Sequence, residues 1–171
     1  MGGFIAQMLA ELYPERVQNL ALLCTTGLGA EFIEIPILSR EALIEFYKLD
    51  REESIKKAVS LTTYKKTNLE IIEHILKVRL EHVEDIDQVL LQRDAIENFF
   101  AKEKIDYSKI NCKTLIMTGE NDRFVDPRNS KVLMSKFINS HFVNIPESDH
   151  FFFMEKVDEV SQHLNNFLKD L

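Results

Sequence analysis

The apolar positions of this 171-residue chain change period along its length, and each change predicts a different kind of element. Phe4, Ile5, Met8, Leu9 and Leu12 recur at helical spacing, and Pro14 closes the run. Leu20 to Cys24 is a short continuous apolar run, the pattern of a strand covered on both faces. The stretch Thr25-Thr26-Gly27-Leu28-Gly29 then carries a turn signal.

From about Glu31 to Lys104 the pattern is helical and far more charged. Its clearest helix carries Leu69, Ile72, Ile75, Leu76, Leu80 and Val83 on one stripe, with Glu, Lys and Arg opposite, and another runs through Ile86, Val89, Leu90 and Ile96. These stripes predict packing within a helical subdomain that could also roof a pocket. Strand patterns then return. Thr114 to Met117 reads as a strand halted by Gly119, and His141 to Ile145 as the next one. Between them, Asp126-Pro127 has the chemistry of a helix start, carboxylate as N-cap and proline at the first helical position, and Lys131 to Phe137 continues it. Val157 to Leu168 is a closing amphipathic helix. Strands alternating with helices around a helical insertion predict an α/β fold with three parallel strands and flanking helices. The expected organisation is a partial α/β core over residues 1–30, a helical insertion over 31–104 and the rest of the core over 105–171.

Composition narrows the partners rather than the fold. Hydrophobic residues make up 45% and charged residues 29%, as in a globular chain. A net charge of −7 and the lack of a basic stripe argue against nucleic acid or an anionic membrane surface. No stretch of about 18 apolar residues is present to span a bilayer, and the N-terminus lacks a signal peptide's positive region, so the expected compartment is cytoplasmic. Gly2 is not set for myristoylation, since Ala6 stands where Ser or Thr is wanted. Cys24 and Cys112 border opposite ends of their strands, on the order of 20 Å apart at about 3.3 Å per residue, and are expected to remain free thiols. His74, His82, His141 and His163 lie on helical stripes or at a strand start. With no His/Cys/Asp cluster at zinc spacing and no phosphate-cradling glycine loop, neither metal nor cofactor is expected.

The chemistry lies in the loops after the strands, where parallel sheets carry function. "TGENDRFVDP" places Asp122 beyond one strand, and "IPESDHFFFMEKVDEV" places His150 beyond the next. A carboxylate and an imidazole on neighbouring strand ends can meet across the mouth of the sheet. There the carboxylate would fix the imidazole's tautomer and stabilise the imidazolium formed on proton uptake. Asn121-Asp122 could also be a simple turn and His150 an ordinary loop histidine. Asp126, the competing acid, reads as a cap, and Ser148 belongs to the histidine loop.

Read together, "MGGFIAQMLAELYPERVQNLALLC", "QRDAIENFF", "KINCKTLIMTGENDRFVDP" and "IPESDHFFFMEKVDEVSQHLNNFL" resemble, in order, the C-terminal part of an α/β-hydrolase of the esterase and enol-lactonase kind. In that superfamily a nucleophile elbow, Gly-x-Ser-x-Gly, precedes the acid and then the histidine. The resemblance makes Asp122 the acid, His150 the base and the segment from Glu31 to about Leu90 the variable cap. It places the nucleophile immediately before Met1, with Met1 and Gly2 beside the elbow and the Met1 amide in the oxyanion hole. Thr25 and Thr26 occupy a loop where some relatives keep their acid. Asp149 stands where the superfamily tends to place a small residue, and Lys113 where proline is frequent.

The expected function is hydrolysis of a carboxylic ester, lactone or thioester by a Ser-Asp-His triad whose nucleophile this chain lacks. Its substrate would be small, hydrophobic and ester-like. The alternative is a catalytically inactive truncated remnant acting by binding or self-assembly. With only the last three strands of such a sheet, the chain is expected to self-associate or to pair with a missing N-terminal portion.

Overall fold

A computed structural model of the chain describes residues 1–35, 39–82, 85–102 and 104–169. Helix α1 (Gly2–Leu12) leads into strand β1 (Asn19–Leu23). Four helices follow: α2 (Arg40–Tyr47), α3 (Arg51–Thr62), α4 (Leu69–Glu81) and α5 (Ile86–Lys102). The chain then returns through β2 (Lys113–Gly119), α6 (Arg128–Lys136), β3 (Ser140–Ile145), the single turn α7 (Phe152–Glu155) and α8 (Val157–Lys169). The strands form one parallel sheet of order β1-β2-β3, with Leu22 opposite Ile116 and Ile116 opposite Phe142.

Side chains alternate across a strand, so β2 feeds two cores. Ile116 packs on one face with Phe4 and Ala10 of α1, Leu20 and Leu22 of β1, and Leu133 of α6. Leu115 and Met117 pack on the other with Val143, Ile145, Phe152 of α7 and Val160 and Phe167 of α8. Helices thus cover both faces of β2, the arrangement that parallel strands require. The free thiols Cys24 and Cys112 lie beyond opposite ends of β1 and β2, as their spacing predicts.

Several elements depart from the pattern-based reading. Helix α1 buries Phe4, Gln7 and Ala10, while Ile5, Leu9 and Leu12 are exposed. A polar residue occupies the core face because the Gln7 amide donates to the carbonyls of Gly3 and Thr26 at 2.9 and 3.0 Å. Strand β1 is covered unevenly, with Leu20 and Leu22 buried on one face, while on the other Ala21 is exposed and Leu23 is half-buried against the second core. Along α4 only Ile75 is buried, and Leu69 is 65% exposed; Val83 lies outside the described residues. Pattern reading missed α7, since one turn offers no period to detect. The start of α6 falls at Arg128, and the Asp126 carboxylate accepts the Arg128 N–H at 2.9 Å.

Candidate active site

The sheet register brings two loops together. Gly119 ends β2 directly opposite Ile145, the last residue of β3. Pairing continues past the strands: the Glu120 N–H donates to the Ile145 carbonyl and the Asn121 N–H to the Ser148 carbonyl, both at 2.9 Å. Close approach of the loops needs glycine at 119. A Cβ there would meet the Asp149 carbonyl oxygen, with the Ser148 oxygen at 2.9 Å and the Asp149 carbonyl carbon at 3.0 Å.

Asp122 and His150 meet in this junction. The Asp122 carboxylate is enclosed, and its Oδ1 accepts the N–H groups of Phe124 and Val125 at 2.9 and 2.8 Å. Its Oδ2 lies 3.0 Å from Nδ1 of His150. Two fixed backbone donors aim one oxygen, which leaves the other for the imidazole. Because Nδ1 faces the carboxylate, Nε2 is left for a third group, the division of labour that an acid–base pair requires. The Phe124 and Phe151 rings sit 5.0 and 6.0 Å from the imidazole, limiting its rotation. Among the other residues weighed, Ser148 is fully buried with its hydroxyl on the Ile145 carbonyl, and Asp126 pairs with Arg128.

The start of α1 is held beside the same strand ends. Gly3 packs so closely on Thr25 that a side chain at 3 would overlap it. At Gly2, by contrast, a Cβ would meet nothing within 4 Å. The Tyr107 hydroxyl accepts the Leu28 N–H at 3.0 Å and donates to Gln7 Oε1 at 3.4 Å, completing a buried tie between α1 and the loop after β1. The Met1 carbonyl accepts the Phe4 N–H at 3.0 Å, opening α1. Burial lowers the pKa of the Met1 amino group, an effect opposed by charge on Cys24. Cys24, at a positive φ of 42°, has its thiol pushed up to about 12, first by burial and then by the Asp122 charge. The Cys24 thiol therefore lies within electrostatic reach of both the helix start and the acid.

Burial likewise pushes the Tyr107 hydroxyl up to about 12. Both groups favour their neutral forms in the folded state. Their contribution to stability is complete below the unfolded values, near 9 for the thiol and 10 for the phenol, and is lost as pH rises toward 12. Denaturant melts at pH 8 and pH 11 should show lower stability at pH 11, with a smaller difference in Cys24→Ala.

An open cleft of about 1400 Å³ lies between the loop 26–35 and the end of α5, lined in part by Phe32, Phe100 and Tyr107. Neither Asp122 nor His150 lines it. Among the described residues there is no group of three or more metal-ligating side chains, and no helix is long and apolar enough to cross a membrane.

Comparison with known proteins follows this geometry. A family model described as "Serine hydrolase (FSH1)" matches residues 2–159. The chain belongs to this serine hydrolase family. Among curated relatives, it is 29% identical over 179 residues to 2-hydroxy-6-oxononadienedioate/2-hydroxy-6-oxononatrienedioate hydrolase 1 of Pseudomonas putida, covering 98% of this chain and 60% of that protein. It is 27% identical to 2-hydroxy-6-oxo-6-phenylhexa-2,4-dienoate hydrolase of Comamonas testosteroni, covering 99% and 60%. Among solved structures, the 2-hydroxy-6-oxo-6-phenylhexa-2,4-dienoate hydrolase of Rhodococcus sp. strain RHA1 superposes with a TM-score of 0.78 at 22% identity, covering 99% of this chain and 61% of that one. A thermophilic esterase from Thermogutta terrifontis gives 0.75 at 21% identity, covering 99% and 62%. The fold is that of the C-terminal portion of an α/β-hydrolase, and the chain spans about 60% of the length of these curated relatives.

Proposed function

We propose that Asp122 and His150 are the acid and base of a Ser-Asp-His triad, and that the nucleophile comes from a segment N-terminal to Met1. The observation that carries this is the 3.0 Å contact between Asp122 Oδ2 and His150 Nδ1, with Nε2 left for a third group. The close packing of Gly3 on Thr25, just past the end of β1, supports placing the nucleophile just ahead of Met1, with the Met1 amide in the oxyanion hole and Gly2 beside the elbow. The reaction is hydrolysis of a carboxylic ester, lactone or thioester. The names of the relatives add cleavage of a 2-hydroxy-6-oxo-dienoate as a related substrate class. The helices between β1 and β2 serve as the cap. Joined to the segment encoded upstream of Met1, the chain should hydrolyse p-nitrophenyl esters, while the 171 residues alone should not. Serine-type turnover by the chain alone would refute this, and a joined protein that stays inactive would favour the catalytically inactive reading.

The same N-terminal portion would cover the outer edge of β1 and the exposed Ile5, Leu9 and Leu12 of α1. That occupant is preferred because the chain covers only 60% and 61% of two relatives whose length exceeds its own. Without it, the chain should self-associate in size-exclusion chromatography with light scattering. A clean monomer across concentrations would contradict this assignment.

A further inference from the structure

Each member of the Asp122–His150 pair has a neighbour in the chain, Arg123 and Asp149, and these two form a separate bond network behind the pair. Asp149 is almost completely buried. Its Oδ1 accepts the N–H groups of Arg123 at 3.0 Å and of His150 at 2.8 Å, and its Oδ2 accepts Arg123 Nε at 2.6 Å. One carboxylate therefore grips the backbone of both loops at the residues beside and at the pair. A buried carboxylate is tolerated only where donors surround it, and here the donors come from both loops.

The network extends to the end of α3. The Arg123 guanidinium Nη2 donates to the carbonyls of Ser60 and Thr63 at 2.9 and 2.7 Å. The Asp149 N–H donates to Glu155 Oε2 at 2.7 Å, and Glu155 Oε1 accepts the Tyr64 N–H at 2.6 Å and the Thr67 hydroxyl at 2.5 Å. The Phe151 N–H donates to the Thr62 carbonyl at 3.1 Å. The rigid fork of arginine can serve Asp149 and two carbonyls at once, which a lysine ammonium on its flexible stem is less suited to do.

We propose that Arg123 and Asp149 are positioning residues, which hold the two loops in the arrangement that lets Asp122 reach His150 and fasten the end of α3 to that arrangement. This rests on Asp122 and His150 being the acid–base pair. Asp149, where the superfamily tends to have a small residue, thus supplies the loop with an anchor in place of small size.

The test reads the Nδ1–H resonance of His150 in the 171-residue chain labelled with ¹⁵N-histidine, by magic-angle-spinning NMR on sedimented protein, so that self-association does not interfere. His150→Gln identifies the resonance. Wild type should show it, Asp122→Asn should lose it, and Asp149→Ala and Arg123→Gln should lose it as well. Asp149→Asn, which keeps one acceptor oxygen, should retain part of it. Leu133→Ala, a core deletion on α6, should keep it despite weakening the fold. If Asp149→Ala does not fold, Arg123→Gln carries the same reading, since its side chain is half exposed. Wild-type intensity in Arg123→Gln, or loss in Leu133→Ala as well, would overturn the proposal while leaving the acid–base pair intact. A resonance that persists in Asp122→Asn, or is missing from wild type, would overturn the pair itself and the proposal with it.

Discussion

Replacing His150 by alanine in the enzyme completed by its N-terminal portion is expected to lower kcat by about 10⁶, and Asp122→Asn by about 10⁴. The two losses differ because the groups do different work. In the proposed mechanism the imidazole takes the nucleophile's proton through Nε2 and returns it to the leaving group, so without it no base is in place. Asp122 acts through the imidazole. Its Oδ2 at 3.0 Å from Nδ1 selects the tautomer that presents a bare Nε2, and its charge stabilises the imidazolium. Asparagine at 122 would keep the size, but with its oxygen held by the Phe124 and Val125 N–H groups it would present an NH₂ to Nδ1. Nδ1 then accepts, and the proton moves to Nε2. Steady-state kinetics on a p-nitrophenyl ester measure both losses. Equal small effects on the two variants, below about tenfold, would show that neither residue is in the reaction path.

Gly119→Ala is expected to lower kcat by about 10² and to cost about 1–3 kcal/mol of stability. The added methyl group has no flexible neighbour to displace. It meets the backbone of Ser148 and Asp149, the two residues ahead of His150. The histidine loop must therefore move away from the end of β2, and a misplacement of about 1 Å is enough to spoil proton transfer. The stability cost should be visible in thermal or denaturant unfolding of the 171-residue chain, and the catalytic cost in the completed enzyme. For the unfolding measurement on the 171-residue chain, Gly2→Ala is the control: its Cβ meets nothing within 4 Å there, so it should leave that chain's packing unchanged.

The first two strands were legible because 20–24 and 115–117 are continuous apolar runs, the third because Val143 and Ile145 alternate with polar Asn144, and the loops carry turn-forming and polar residues after them. Placing Asp122 and His150 past neighbouring strand ends needed only that punctuation, and the 3.0 Å contact between them agrees with it. The α1 face was not legible, because Gln7 is buried through hydrogen bonds to two carbonyls and hydropathy scores it as polar. The role of Asp149 was hidden for a different reason. Its partner Arg123 is 26 residues away and the carbonyls of Ser60 and Thr63 farther still, so no local pattern joins them. The stripe on α4 overstated burial, since charged helices of an insertion keep much of their apolar surface in partial contact with water.

Labelling with a fluorophosphonate, followed by peptide mass spectrometry, tests the central claim that Asp122 and His150 activate a serine lying outside these 171 residues. The completed enzyme should carry a single adduct on the residue just before Met1, lost when His150 is replaced by glutamine, and the 171-residue chain should carry none. An adduct on Ser148 or any other residue of this chain, or one on the completed enzyme that survives the loss of His150, would contradict it.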